Sequence, residues 1–204
     1  VGALIVPVVV PWLTVKFGWS AAFLITGSLG FFWVILWLVL YHSPEVHPRV
    51  TPAELAFIRS DPPDPVVKIA WLDLLRHRQT WAYMLGTFCT SPIWWFYLYW
   101  IPDFLQKQHG LNLLQLGAPL VVIYLMTDVG SIGGGWLSSM LIHRGWTVNA
   151  ARKTAFLVCG LCVVPVFFAS LVTNLWAATL LIGLAASAHQ GFSANLYTMV
   201  SDTV

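Results

Sequence analysis

The chain has 204 residues, of which 58% are hydrophobic and 9% are charged, and its formal net charge is +2. Soluble domains carry about 25% charged residues on average, so this composition excludes a soluble domain and indicates a polytopic membrane protein. Nucleic-acid binding needs a basic stripe, whereas the charges here are confined to a few loops. We therefore expect the lipid bilayer as a partner and no nucleic acid.

Apolar segments follow one another along most of the chain. We place six of them, at about 1–15, 20–41, 79–105, 113–142, 153–172 and 175–200. About 20 apolar residues suffice to cross a bilayer as a helix, so the pattern predicts an all-α polytopic transmembrane bundle. The first segment begins inside an apolar run without an initiator methionine, and we expect the chain to be a fragment of a longer protein.

A polar, proline-rich stretch at 42–78 separates the second and third segments. Thr51 followed by Pro52 predicts a short helix there, with Thr51 as its N-cap. This stretch carries five of the ten Lys and Arg residues, and the loop at 143–153 carries three more. Because positive charge marks the cytoplasmic side, both regions are predicted to be cytoplasmic.

The fourth segment combines small residues with one carboxylate. Gly130 and Gly134 share a helix face that Ser138 extends, which predicts close packing against another helix. The basic turn that follows, Arg144-Gly145, is predicted to act as a latch at the cytoplasmic edge. Asp128 has no obvious local partner, and two interpretations stay open: a hydrogen bond between helices, or a role in proton movement or gating.

Hydroxyl and aromatic side chains share one side of the third segment. This stripe suits a sugar-like ligand, since aromatic faces stack on C–H groups and hydroxyls bond to hydroxyls. Packing between helices is the alternative explanation. The residues we predict to contact a ligand here are Thr90, Ser91, Trp94 and Tyr97.

The last segment carries polar groups inside an otherwise apolar span. Such groups are costly in hydrocarbon and usually face a bundle interior or a wet cavity. We predict that Gln190, Ser193 and Asn195 bind a polar solute, with bonding between helices as the alternative. His189 is a second candidate for proton binding or gating, since histidine titrates near neutral pH; a neutral packed histidine is the other interpretation.

Catalysis is not expected. Gly191-Phe192-Ser193-Ala194 fits the Gly-x-Ser-x pattern of rhomboid-type proteases, but these need a histidine on a different membrane helix, and His189 lies on the same one. Cys159-x-x-Cys162 lies inside an apolar segment, where packing explains it better than metal or redox chemistry. We predict no catalytic residue, metal or cofactor. A helical subunit without a transport role remains a further alternative.

Three stretches resemble the hexuronate transporter branch of the anion:cation symporters in the major facilitator superfamily. They are Pro92 to Leu105, Asp128 to Lys153 and Ala188 to Tyr197. The resemblance implies helices 5 to 10 of twelve, with 1–41 closing the N-terminal bundle, 42–78 as the inter-bundle linker and 79–204 opening the C-terminal bundle.

The same resemblance implies proton-coupled symport of a sugar acid across the bacterial inner membrane. The family's basic carboxylate-binding and acidic proton-coupling residues are expected in helices 1 and 4, to which nothing in this sequence corresponds. Two departures stand out. Thr87 and Ser91 occupy positions where relatives often carry Lys and Asp, and Ser138 or Ser139 occupies the usual acidic position of the cytoplasmic loop motif.

Overall fold

A computed structural model describes residues 2–60 and 71–201 of the chain. Within those ranges the regular structure is helical and contains no strand, so the predicted all-α class is confirmed. Residues 61–70, which include the proline cluster of the linker and Lys68, lie outside the described residues.

Six long helices coincide with the six predicted apolar segments, and two short helices lie in the linker. In chain order they are α1 (Gly2–Phe17), α2 (Trp19–Leu40), α3 (Pro52–Ile58), α4 (Trp71–Leu74), α5 (Arg78–His109), α6 (Gly117–His143), α7 (Val148–Val163), which continues as a 3₁₀ turn (Val164–Phe168), and α8 (Leu175–Ser201).

Four helices in the described part are long and apolar enough to cross a membrane. They are α2, α6, α7 with its 3₁₀ continuation, and α8. Helix α5 is the longest at 32 residues, but its many Trp, Tyr, Ser and Thr residues lower its hydropathy, and it falls outside this set. Helix α1 is apolar but has only 16 residues.

The chain divides into two compact units. The smaller one comprises residues 13–74 and contains α2, α3 and α4. Its helix α3 begins as predicted, because the Thr51 hydroxyl accepts a hydrogen bond of 3.3 Å from the Glu54 backbone N–H and Pro52 opens the first turn. An exposed ion pair of 3.4 Å joins Arg59 to Glu45. The pKa of the Glu45 carboxyl lies below its usual value. The main cause is a backbone hydrogen bond, and side-chain hydrogen bonds from Ser43 and Arg59 add to it.

The larger unit comprises residues 1–12 and 75–204, and it is organised around direct backbone contact between α6 and α8. A Cβ added at Gly134 would lie 2.5 Å from the Cα of Gly191. The contacting pairs along this seam are Met126 with Gly183, Gly130 with Ser187, and Gly134 with Gly191. Each step advances four residues on both helices, so the two helices run parallel and in register, as expected for small residues repeated on one face.

Helix α5 runs antiparallel to α8. A Cβ on Gly86 would lie 3.1 Å from the Leu196 side chain, and Thr90 contacts His189 further along α5. Beyond this point a cluster of buried apolar residues joins α5, α6, α8 and the segment after the 3₁₀ turn: Ile101, Leu105, Leu116, Leu120, Ile123, Ala169, Ile182 and Ala186. The cluster closes one end of the α5–α8 contact, and the contact of Gly86 with Leu196 lies at the other end.

Because of this seam, we expect the same substitution at two adjacent glycines to have very different effects on stability. At Gly134 an added methyl group meets the α8 backbone, whereas at Gly133 it meets nothing within 4 Å. We expect Gly134→Ala to lower the free energy of unfolding by about 1–3 kcal/mol, the usual cost of overpacking. Gly133→Ala should leave it unchanged or slightly higher, since Ala favours the helix.

Thermal unfolding of the purified protein in detergent measures this difference. Equal melting temperatures for the two variants would contradict a backbone-to-backbone seam.

Candidate functional site: a polar cleft between α5 and α8

An open cleft of about 330 Å³ lies between α5 and α8. Its walls are Thr90, Ser91, Trp94 and Trp95 from α5, and His189, Gln190, Ser193 and Tyr197 from α8. On each helix, pairs of these residues three or four positions apart, such as Ser91 and Trp94 or Gln190 and Ser193, lie on one face. The cleft therefore contains most of the ligand-contact residues that we predict from the sequence, together with His189.

Several of these side chains are free to bind a solute. Within the described residues, Ser91, Gln190 and Ser193 make no hydrogen bond, and all are half-buried. The Thr90 hydroxyl donates to the Gly86 carbonyl at 2.8 Å but keeps its lone pairs as acceptors. A polar molecule in the cleft would thus meet both donors and acceptors.

Aromatic rings form part of the wall. Trp95 is 56% exposed and Tyr197 is 58% exposed, whereas Trp94 is half-buried. The Trp94 ring lies nearly parallel to the His189 imidazole, at 15° and 6.1 Å between centroids. Flat apolar faces beside free hydroxyl and amide groups are what a sugar ring, with C–H faces and polar edges, requires.

His189 connects the two walls of the cleft. Its Nε2 atom lies 2.9 Å from the Thr90 carbonyl oxygen, and its Nδ1 atom is buried without a partner in the described part of the chain. The imidazole therefore bonds to a carbonyl on another helix, and no hydrogen bond to Ser193 activates that hydroxyl as a nucleophile. The rhomboid-like arrangement considered for Ser193 is not formed.

Tyr97, which the sequence predicts to contact a ligand, does not line this cleft, and its role in binding stays a prediction. Its ring stands edge-on to the other side of His189, at 81° and 6.2 Å. It packs against the apolar cluster that includes Ile101 and Ile123. Burial against that cluster draws the ring away from the open cleft.

Asn195, also predicted to contact a ligand, does not line the cleft, and its role in binding stays a prediction. The residue is 0% exposed. Its Nδ2 atom donates to the carbonyls of Gly134 at 2.8 Å and Gly191 at 2.9 Å, and its Oδ1 accepts from Arg152 at 2.9 Å. With both its amide donors and its oxygen engaged, Asn195 continues the α6–α8 seam.

Arg152 is a structural residue that the sequence reading missed. One Nη1 atom donates to Ser138 Oγ and to Asn195 Oδ1, both at 2.9 Å, and so ties α7 to α6 and α8. We counted Arg152 as a loop charge because the fifth segment was predicted to begin at 153. Thr147 instead caps α7, accepting from the Ala150 N–H at 3.3 Å, so the helix begins at Val148. Reading Thr147 as an N-cap would have found it.

The remaining predicted residues lie on α6 and in the turn after it. Gly130, Gly134 and the fully buried Ser138 lie along the seam. Asp128 lies outside the cleft, is exposed, and has no hydrogen bond or ion pair with any described residue, so its role stays a prediction. Arg144 is exposed at the end of α6, and Gly145 has a φ of 87°, which favours glycine. A latch at this turn also stays a prediction.

Comparison with known proteins identifies relatives of this chain. The sequence model of the Major Facilitator Superfamily matches residues 1–204. The hexuronate transporter of Escherichia coli strain K12 is 32% identical over 99% of this chain and 48% of that protein. The D-galactonate transporter of Escherichia coli O6:H1 is 29% identical over 93% of this chain and 47% of that protein. The chloroplastic ascorbate transporter of Arabidopsis thaliana is 34% identical over 70% and 27%, respectively.

The sequence resemblance to this superfamily and its hexuronate transporters is thereby confirmed. The chain spans about half the length of the two bacterial relatives.

Asn195 and Gln190 both carry side-chain amides on α8, but we expect their substitution to have opposite effects on stability and on solute affinity. Asn195→Ala removes an acceptor from the buried Arg152 guanidinium and a donor from the Gly134 carbonyl, so we expect the free energy of unfolding to fall by about 1–3 kcal/mol with little change in solute affinity. Gln190→Ala removes no hydrogen bond among the described residues, so stability should hold while solute affinity falls.

Detergent melting curves and equilibrium binding on both variants test this pair. An Asn195→Ala protein that melts normally but binds solute poorly would restore Asn195 to the solute site.

Proposed function

Because the chain belongs to the Major Facilitator Superfamily, a family of membrane transporters and not of enzymes, we propose that its helices form part of a sugar-acid transporter. The transporter works by alternating access and couples the solute to protons. We place it in a bacterial inner membrane, with the linker 42–78 and the loop 143–153 on the cytoplasmic side because these regions hold most of the positive charge.

The cleft between α5 and α8 carries this proposal. Its volume of about 330 Å³ lies at the low end of the range of about 300–1,000 Å³ for small-molecule sites, which suits a monosaccharide derivative. Ser91, Gln190 and Ser193 make no hydrogen bond with any described residue and lie on two helices that we place in the membrane. Such groups are retained in membrane helices where they meet a solute or water, because lipid cannot satisfy them.

The names of the relatives narrow the solute class. Hexuronate, galactonate and ascorbate all carry several hydroxyls and one acidic group. We infer that the cleft holds the carbon skeleton and hydroxyls of such a molecule, with Trp94 packing on its C–H groups. The family resemblance implies that a basic residue for the carboxylate comes from helices with no counterpart in this chain.

The α6–α8 seam supports alternating access. In this kind of fold two bundles rock about a site near the bilayer midplane. A bundle that rocks as a body needs fixed helix contacts, and the backbone contact of Gly134 with Gly191 is of that kind. Neither rival interpretation has comparable support, since an intramembrane hydrolase lacks an activated Ser193 and an inert subunit does not explain a polar cleft.

Uptake by proteoliposomes tests the proposal directly. We expect the full-length transporter that contains these helices to accumulate labelled glucuronate or galacturonate, and to do so faster under an inward proton gradient. Unlabelled hexuronate should compete, and neutral glucose should not. Absence of uptake for both acids would refute the solute assignment, and uptake indifferent to the gradient would refute proton coupling.

Two substitutions at Gln190 test the position of the solute. Gln190→Ala should raise KM about tenfold, since a lost hydrogen bond costs about 1.4 kcal/mol. Gln190→Glu keeps the size but adds a negative charge, so an anionic solute should lose more affinity with it than with Gln190→Ala. Trp94→Ala should also raise KM, and Trp100→Ala, outside the cleft on the same helix, serves as its control. Unchanged KM values for Gln190 and Trp94 variants would place the site elsewhere.

A further inference from the structure

The cleft between α5 and α8 is polar, but no carboxylate, ammonium or guanidinium group lines it. Its polar lining consists of hydroxyl, amide, indole and imidazole groups, and none of the eight described residues in its walls is Asp, Glu, Lys or Arg. Hydroxyl and amide groups bond to donors and to acceptors alike, but they do not neutralise an ion. Such a lining suits an uncharged molecular surface that carries hydroxyl groups.

His189 borders the cleft, but neither of its ring nitrogens is available to a solute there. Its Nε2 atom lies 2.9 Å from the Thr90 carbonyl oxygen, and because a carbonyl oxygen only accepts, Nε2 donates across the α5–α8 contact. Its Nδ1 atom is buried. A carboxylate in the open space of the cleft would therefore find no ion-pair partner among these walls.

The groups that are available come from both walls and are neutral. Ser91 on α5, and Gln190 and Ser193 on α8, make no hydrogen bond with any described residue. A carboxylate that entered would exchange its water shell for hydrogen bonds to neutral donors. Moving a charge out of water in this way costs free energy unless an opposite charge lies close by, whereas an alcohol or an aldehyde hydrate loses little.

We propose that this uncharged cleft makes the transporter selective for sugar acids with a single carboxylate, and that Ser91 and Gln190 are specificity-determining residues. The inference rests on the proposed function and names the kind of sugar acid that the site accepts. It concerns the end of the solute that enters the cleft. The carboxylate itself then lies outside the cleft, which agrees with the expectation that helices with no counterpart in this chain bind it.

The selectivity follows from the position of the charges on the solute. A hexuronate or an aldonate has its carboxylate at one end of the carbon chain and an uncharged group at the other, so it can place the uncharged end in the cleft. An aldarate has a carboxylate at each end, so one of them enters the cleft whichever way the molecule is turned. Recognition of this kind works by rejection, because the wrong solute is left with an unpaired charge.

Competition between matched solutes tests the selectivity without any mutation. Galactarate and its monoamide are open chains of nearly the same size, and at about pH 7.5 they differ by one negative charge. We expect the monoamide to inhibit uptake of labelled galacturonate by the full-length transporter in proteoliposomes. Galactarate should require a concentration at least about tenfold higher, since an unpaired charge costs more than a lost neutral hydrogen bond.

Lysine introduced into the cleft tests where the selection takes place. Ser91→Lys supplies a cation to the second carboxylate, so we expect the affinity for galactarate relative to its monoamide to rise about tenfold or more. Gln190→Lys, from the opposite wall, should act in the same way and replaces it if Ser91→Lys does not fold. Ser91→Gln adds length without charge and should keep the wild-type ratio. Gln106→Lys adds the same charge at an exposed position of α5 outside the cleft, and should keep it too.

The outcomes separate this inference from the proposed function. Wild-type protein that takes up neither labelled galacturonate nor labelled glucuronate overturns both. Uptake of galacturonate with equal inhibition by galactarate and its monoamide leaves the function standing and overturns the selectivity. A wild-type preference that folded lysine variants do not alter places its source outside the cleft and overturns the role of Ser91 and Gln190.

Discussion

Contact between the backbones of α6 and α8 is the constraint from which the rest of the larger unit follows. It is possible only because glycine or another small residue recurs every four positions, as at Gly130 and Gly134. The contact occupies one face of α8 and fixes the axial register of the two helices. The contact therefore also fixes the rotation of α8 about its own axis. As a result, another face of α8 meets α5 and exposes its polar side chains to a cleft.

Polar residues of α8 accordingly serve two purposes, and the face of the helix on which each residue lies decides which one. Gln190 and Asn195 are five positions apart, which turns them about 140° from each other. Asn195 lies one turn beyond Gly191, on the face pressed against α6, and there it bonds to backbone carbonyls and to Arg152. Gln190 points into the cleft with its amide unused. The same chemical group stabilises the bundle in one place and is available to a solute in the other.

Much of this organisation can be read from the sequence. Runs of apolar residues locate all six long helices, and the pair Thr51-Pro52 locates the start of α3. Helical spacing also brings Ser91 and Trp94, and Gln190 and Ser193, to shared faces. Spacing alone does not tell which polar face meets a neighbouring helix, so the sequence does not separate Asn195 and Tyr97 from the residues that line the cleft. Arg152 was missed for a local reason, since hydropathy locates the apolar part of a helix and overlooks a polar first turn set by a cap.

Helix α5 has a consequence for how the protein is made. The Thr, Ser and Trp residues of α5 that line the cleft also make this helix less apolar than α2, α6, α7 and α8, although it is the longest. Insertion into a bilayer depends on the summed apolarity of a segment. A helix that carries the polar wall of a solute path is thus a poor candidate to enter the membrane alone. We expect α5 to be held at the translocation machinery until α6 and α8 emerge, so that the order of synthesis itself becomes part of folding.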